Sequence, residues 1–580
     1  MTRCRSVAAL MATLVLPLSA CISMPESGPV VETRSEGSPD DQAGTFIDAK
    51  PPQPGDSATD IVTGFLEAMT ATPIDLNVAR EFLTRDAEAA WDPDAQTITY
   101  AEVIGPLGSG AVTVELAGAE HLDQRGAFLG SLPRDERTLE FPMVRENGQW
   151  RIADAPDALV VPETWFEQVF SHVSLYYFDP SAQILVPEPV FVPLGEQQLA
   201  TELTRAVLRG PSRRLDDVSR SFIPPGLDVF GSVPVSAEGV ADLTLRGYTG
   251  ELTPQASQLM LAQLAWTLRQ DPSVAAFRVS IGGQQVTLPG GVSEFSVDEG
   301  LAYDPTGLQA SSLLFGLRDG RLVSGPPGAL ADVSGPMGSA DQGVRSVAVN
   351  FNATRVAGVT GPGDRMLMTT VRASSEERVE QEVSAAENLL QPAWDFSDRL
   401  WMVDARESGA QVSYLTRRGP VSVTVPGVTG RKVSRFLVSR DGSRLVAVLN
   451  RPQGDRLLVS RILHGADGKV IGAAPAQEIA WEGESGLRIR DIGWSSPSSI
   501  AVLHRVAQEL FELRTIAVDG APSGVDDLLT TLPGRVLGLA SSPVAAETLY
   551  AVTRTSLLDP RGEAAQAGLD AGTTLVGYVG

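Results

Sequence analysis

The chain has 580 residues, of which 43% are hydrophobic and 20% charged, and its formal net charge is −25. That length exceeds one ordinary hydrophobic core, and the composition is that of folded domains rather than of wholesale disorder. The acidic balance argues against nucleic acid as a partner, because phosphates select basic surfaces, and against a polybasic membrane patch.

Arg3 and Arg5 precede an uncharged apolar run from Val7 to Leu18. The run is too short to span a hydrocarbon core, which takes about 20 apolar residues. A positive start, a short apolar centre and small residues at its end describe a secretory signal peptide. Leu18-Ser19-Ala20-Cys21 reads as a bacterial lipobox. Residues 1–20 are then the signal peptide, cut between Ala20 and Cys21, with Cys21 carrying S-diacylglycerol and N-acyl (palmitate) groups. Cys4 would leave with that peptide, so the mature chain keeps one cysteine and no intramolecular disulfide. No later apolar run is long enough to cross a membrane. The expected location is the cell membrane, lipid-anchored on its extracytoplasmic face, and two or more acyl chains hold stably. Residues 21–55 form a lipidated N-terminus and a flexible acidic linker, with Ser35-Glu36-Gly37-Ser38-Pro39-Asp40-Asp41 as its type stretch.

An α+β domain is expected over 56–162. Asp56 or Ser57 caps a helix, with Asp60 complementing Ser57 as an approximate capping box, and Ile61, Val62, Phe65, Leu66 and Met69 fall on one helical face. A second helical piece holds Val78, Phe82 and Leu83. Strands follow at Thr97–Tyr100, Ala111–Leu116 and Leu139–Val144, and Asn147-Gly148 suits a type I′ hairpin turn.

Residues 163–291 read as an α/β domain in the order ββ-α-ββ-α-ββ, as though two similar halves were repeated. Its strands are Ser171–Phe178, Ile184–Val192, Val229–Val235, Val240–Leu245, Phe277–Ile281 and Gln285–Leu288. One helix runs over about 197–208 and is ended by Gly210; the other starts at Thr253-Pro254.

From 292 to 580 the helical pattern stops and a repeat begins. Asn350-Phe351-Asn352-Ala353-Thr354-Arg355 matches Ser439-Arg440-Asp441-Gly442-Ser443-Arg444, each polar turn leading into an apolar strand. Looser copies start at Asp395, Trp494 and Ser541, and Tyr303-Asp304-Pro305-Thr306 marks a first unit. A spacing of about 45 residues fits an all-β propeller of about six blades.

No catalytic or metal-binding constellation emerges. His121, His172, His464 and His504 are isolated, no His-x-x-x-His or Cys-x-x-Cys spacing occurs, and there is no Gly-x-Ser-x-Gly elbow. Gly361-Pro362-Gly363-Asp364 and Asp441-Gly442 read as turns between strands rather than as a nucleotide or calcium loop. No enzyme activity, catalytic residue, metal or cofactor is therefore expected. A glycosidase would need two positioned acids, which cannot be picked out among 71 carboxylates.

The whole chain resembles the LpqB family of actinobacterial lipoproteins. The resemblance is carried by the lipobox followed by Ile22-Ser23-Met24-Pro25-Glu26-Ser27-Gly28, and by Ile61-Val62-Thr63-Gly64-Phe65-Leu66. Leu185-Val186-Pro187-Glu188-Pro189 with Leu208-Arg209-Gly210-Pro211-Ser212 is similar to that family's GerMN domain, a module shared with sporulation and germination proteins. The resemblance implies lipidation at Cys21 and an accessory role in the MtrAB two-component system. There the lipoprotein contacts the ectodomain of the sensor histidine kinase MtrB and influences signalling in envelope homeostasis and division. The alternative is a cell-wall glycan or peptidoglycan binder, or a propeller-borne glycosidase.

Overall fold

The computed structural model describes residues 49–580, apart from 195–198, 216, 251, 308, 374–377, 480–485, 523–528 and 563. The lipobox residues Leu18, Ser19, Ala20 and Cys21, and nearly all of the linker, lie outside the described residues. Those that are described fall within one compact unit, built from three domains.

In the first domain Ser57 caps the helix Ala58–Ala68. Its Oγ accepts from the Asp60 amide at 3.2 Å, while Asp60 Oδ2 accepts from the Ser57 amide at 3.0 Å. The exchange satisfies two amides that the first helical turn leaves unpaired. The helix buries Ile61, Val62 and Phe65 against a sheet in the order Glu102–Gly108, Ala111–Ala117, Thr138–Glu146 and Gln149–Ile152. The ring of Phe65 lies 5.3 Å from Trp91 and 6.1 Å from Phe141. Asn147 and Gly148 turn the last hairpin with φ of 52° and 82°, the left-handed pair that a type I′ turn requires. A further helix, Glu163–Val169, is not evident in the sequence. It is seven residues long and starts at Pro162 without a side-chain cap, so it lacks the usual marks of a helix start.

The middle domain begins with the hairpin Phe170–Phe178 and Leu185–Pro193, paired antiparallel over its whole length. Its first strand packs on both helices, Leu199–Leu208 and Pro254–Leu268, and its second on Leu199–Leu208. A second sheet has Val240–Arg246 and Ala276–Ile281 parallel at its centre, with short flanking strands. The domain is therefore not two similar halves. The strand expected at Val229–Val235 survives only as Asp228–Val229, because Gly231 takes φ 78° and Pro234 offers no amide to a ladder. The central pairing is parallel and needs the crossover helix, capped by Thr253 with Pro254 in its first turn.

Six sheets form the propeller. Blade two is Val344–Val349, Arg355–Thr360, Met366–Thr370 and Glu380–Val383. Blades three to six begin at the inner strands Ala393–Trp394, Val433–Val438, Arg488–Ser496 and Gly538–Ala540. Blade one takes its inner strand from the end of the chain: Thr573–Gly577 pairs with Leu314–Arg318. The sequence repeat lies in the turn after the inner strands of blades two to six. Asn350 Oδ1 accepts from the amides of Thr354 and Arg355, and Asp395 Oδ1 accepts from those of Ser397 and Arg399. Asp441 Oδ1 accepts from the Ser443 amide at 2.7 Å. The fourth residue of these turns has positive φ: Ala353 at 53°, Asp398 at 60° and Gly442 at 72°. Only Gly442 adopts it without steric cost. At the ends of two inner strands, the indole N–H of Trp394 donates to Ala348 O and that of Trp494 to Val438 O, tying each blade to the one before.

Candidate functional site

The inner strands of the propeller surround a cavity of about 690 Å³. Their first residues form its mouth, where Arg345 and Arg435 are exposed, and their last residues lead to its floor, where Arg440 is 4% exposed. Arg440 follows the inner strand of blade four and occupies the turn position held by Phe351 and Phe396 in blades two and three. Its guanidinium reaches across the axis. Nη1 donates to Thr306 O at 2.8 Å, and Nη2 donates to Ser542 Oγ at 3.1 Å and to Val579 O at 3.0 Å. The group stacks over Phe351 at 5.2 Å. All of these acceptors are neutral; Glu547 and Asp304 act on it only through space. Burial pulls its pKa down to about 10, which still leaves it charged at neutral pH.

At the mouth, Arg345 Nη2 donates to Asn388 Oδ1 and to Leu389 O, both at 2.7 Å. Arg435 Nε lies 3.6 Å from Asp491 Oδ1, while the other oxygen of Asp491 accepts from the Leu539 amide at 2.8 Å. Burial raises the Asp491 pKa, against that amide and the Arg435 charge. Asp491, beside Arg435, is the one acidic side chain among the described residues lining the cavity, which Arg345 and Arg440 also line.

A second polar cluster joins the middle domain to the propeller. Glu188, on the strand Leu185–Pro193, accepts through Oε2 from Arg461 Nη2 at 2.6 Å, and the same oxygen lies 3.6 Å from Arg444 Nη2. Arg444 is fully buried and also donates to Pro187 O. Burial first, then the neighbouring Arg461, bring its pKa down to about 10. The hydroxyl of Tyr177 is buried without a hydrogen-bond partner, and burial raises its pKa. Nearby, His464 donates its backbone amide to Asp217 O at 2.8 Å, while its Nε2 is buried and unpaired.

The four histidines do not converge. His121 bonds Gly130 O in the first domain, and His172 stacks on Phe191 and meets Asp519 at 3.3 Å. His464 and His504 are buried in blades four and five. No group of three or more His, Cys, Asp or Glu is placed to hold a metal among the described residues. Burial, and then the Arg399 charge, lower the pKa of His464 to about 4. As pH falls below about 6.5 the unfolded chain takes up a proton that the folded chain refuses until about pH 4. Stability conferred by the neutral imidazole is thus present above that window and lost on acidification. Chemical denaturation across it should show wild type losing up to about 3 kcal/mol more than His464→Gln.

No helix of the described residues is long and apolar enough to cross a membrane. Of the residues with chemical roles at these sites, the sequence pointed to none. Arg345, Arg435, Arg440 and Asp491 stand far apart in the chain and converge only through the closing of the ring. The one hint was Arg440, a cation where parallel copies of the repeat carry phenylalanine.

Comparison with known proteins follows the same three-part division. Residues 51–167 match the family model described as "Lipoprotein LpqB, N-terminal domain". Residues 174–287 match "Sporulation and spore germination", and residues 320–564 match "Lipoprotein LpqB beta-propeller domain". A curated Lipoprotein LpqB from Thermobifida fusca is 26% identical, covering 88% of this chain and 89% of that one. One from Cutibacterium acnes is 28% identical over 89% of each chain. A third, from Streptomyces coelicolor, is 26% identical over 87% of each.

Proposed function

The chain belongs to the LpqB family of lipoproteins, and from that premise we propose that it is a lipid-tethered binding protein. It acts on the extracytoplasmic face of the cell membrane, engages the ectodomain of an MtrB-like sensor histidine kinase, and modulates two-component signalling in envelope homeostasis and division. The lipid on Cys21 supplies the anchor, and the acidic linker lets the folded body reach a neighbouring membrane protein at high effective concentration. The observation that carries binding rather than catalysis is the charge set of the propeller cavity. Its described lining holds one acidic side chain, Asp491, and three arginines. A propeller-borne glycosidase of the usual kind would use two carboxylates flanking the sugar, so the enzymatic alternative has the weaker support. A cell-wall glycan remains the alternative ligand and needs no catalytic pair.

Crosslinking mass spectrometry in intact cells tests the proposal. Wild-type protein should give crosslinks to the kinase ectodomain, and Cys21→Ala should move the protein out of the membrane fraction and remove most of those crosslinks. Absence of kinase crosslinks in wild type, or retention of Cys21→Ala on the membrane, would overturn it.

A further inference from the structure

In a chain of net charge −25, the propeller cavity is lined by three arginines and one acidic side chain, Asp491. It is closed at one end, where Arg440 ties together Thr306, Ser542 and Val579 and where the Gly580 amide donates to Val349 O at 2.9 Å. The opposite end is open between Arg345 and Arg435. A volume of about 690 Å³ lies in the range of small-molecule sites. The floor is unusual because the Arg440 guanidinium is buried and hydrogen-bonded only to neutral oxygens. A buried cation without a paired anion is costly, and an anion entering the cavity would lower that cost. At the mouth, Arg435 donates Nη1 to Ser434 O at 2.8 Å and has Asp491 at 3.6 Å from Nε, beyond hydrogen-bond distance, so the guanidinium keeps Nη2 for a charge-assisted contact with an anionic group. Asp491, meanwhile, is held by the Leu539 amide and repels an incoming anion.

We propose that the propeller cavity is a binding site for a small organic anion, bearing a carboxylate or phosphate group, that enters past Arg435 and is attracted by the buried charge of Arg440. The site goes beyond kinase binding and does not depend on it.

Titration calorimetry on the full-length protein in detergent would use citrate and glycerol phosphate as anionic probes and glucose as the neutral control. One or both anions should bind with a stoichiometry of one, and glucose should not. Binding of citrate alone identifies a carboxylate ligand, and binding of glycerol phosphate alone a phosphate ligand. Arg435→Gln should weaken binding about tenfold, the expected loss of one charge-assisted contact. Asp491→Asn keeps an acceptor for the Leu539 amide and should tighten binding several-fold. Arg435 is exposed and the asparagine keeps an oxygen for the Leu539 amide, so thermal unfolding of both variants should stay close to wild type. The proposal fails if neither anion binds, if glucose binds equally well, or if the two variants leave the affinity unchanged.

Discussion

Arg440→Ala is expected to be among the most damaging single substitutions in the propeller, lowering its stability by about 3–5 kcal/mol. The side chain is 4% exposed and supplies donors to Thr306 O, Ser542 Oγ and Val579 O. Removing it leaves acceptors inside the ring without a donor, at about 1–3 kcal/mol for each one that stays dry, and opens a void beside Phe351. Water entering from the cavity would soften the loss, which places the estimate below a simple sum. Arg440→Lys should recover only part of it. An ammonium stays charged but cannot reach three oxygens in the planar geometry of a guanidinium. Differential scanning calorimetry would measure the effect. A transition unchanged from wild type in Arg440→Ala would show that closure does not depend on this residue.

The second large effect is at the junction of the middle domain and the propeller. Glu188→Ala is expected to cost about 3–5 kcal/mol, because it leaves Arg461 without its carboxylate and Arg444 with only Asp441, 4.0 Å away, two neighbouring cations in a buried interface. The two arginines are 1% and 19% exposed along their side chains, so water cannot fully solvate them. The form of the loss is as informative as its size. The hairpin that carries Glu188 should detach from blade four, giving separate transitions for the middle domain and the propeller and earlier proteolytic cutting between them. Replacing Glu188, Arg444 and Arg461 together by methionine should restore part of the stability, since it removes the unpaired charges while leaving Pro187 O without its donor. If the triple replacement is as unstable as Glu188→Ala, shape rather than charge governs the interface.

Local structure was legible where one residue's chemistry fixes one backbone feature. Ser57 with Asp60, Asn147-Gly148, Thr253-Pro254 and Asp441-Gly442 each specify a cap or turn, and each was placed from sequence alone. The propeller was legible for the same reason, since its repeat is the turn that follows the inner strands of blades two to six. Pairing partners were harder to read. Val229–Val235 has strand-like composition, yet Gly231 and Pro234 end the ladder after two residues, and nothing local shows that Val240–Arg246 runs parallel to Ala276–Ile281. The cavity was not legible at all. Arg345, Arg435 and Asp491 are unremarkable surface-type residues in one dimension, and their proximity is a product of ring closure. Glu188 was read as part of a motif, whereas its charge partners lie in blade four.

Blade one is finished by the last strand of the chain, and this sets an order of events in time. Thr574 Oγ1 donates to Leu317 O across 257 positions of sequence. Bringing such distant segments together costs about 5 kcal/mol of chain entropy before any bond between them forms. Five blades can assemble from neighbouring hairpins as they become available, but the sixth sheet waits for the whole polypeptide. Until then Leu314–Arg318 presents an unpaired edge, open to any other strand that passes. Val579 lies two residues beyond that last strand, so the Arg440 bond to its carbonyl belongs to the same closing step.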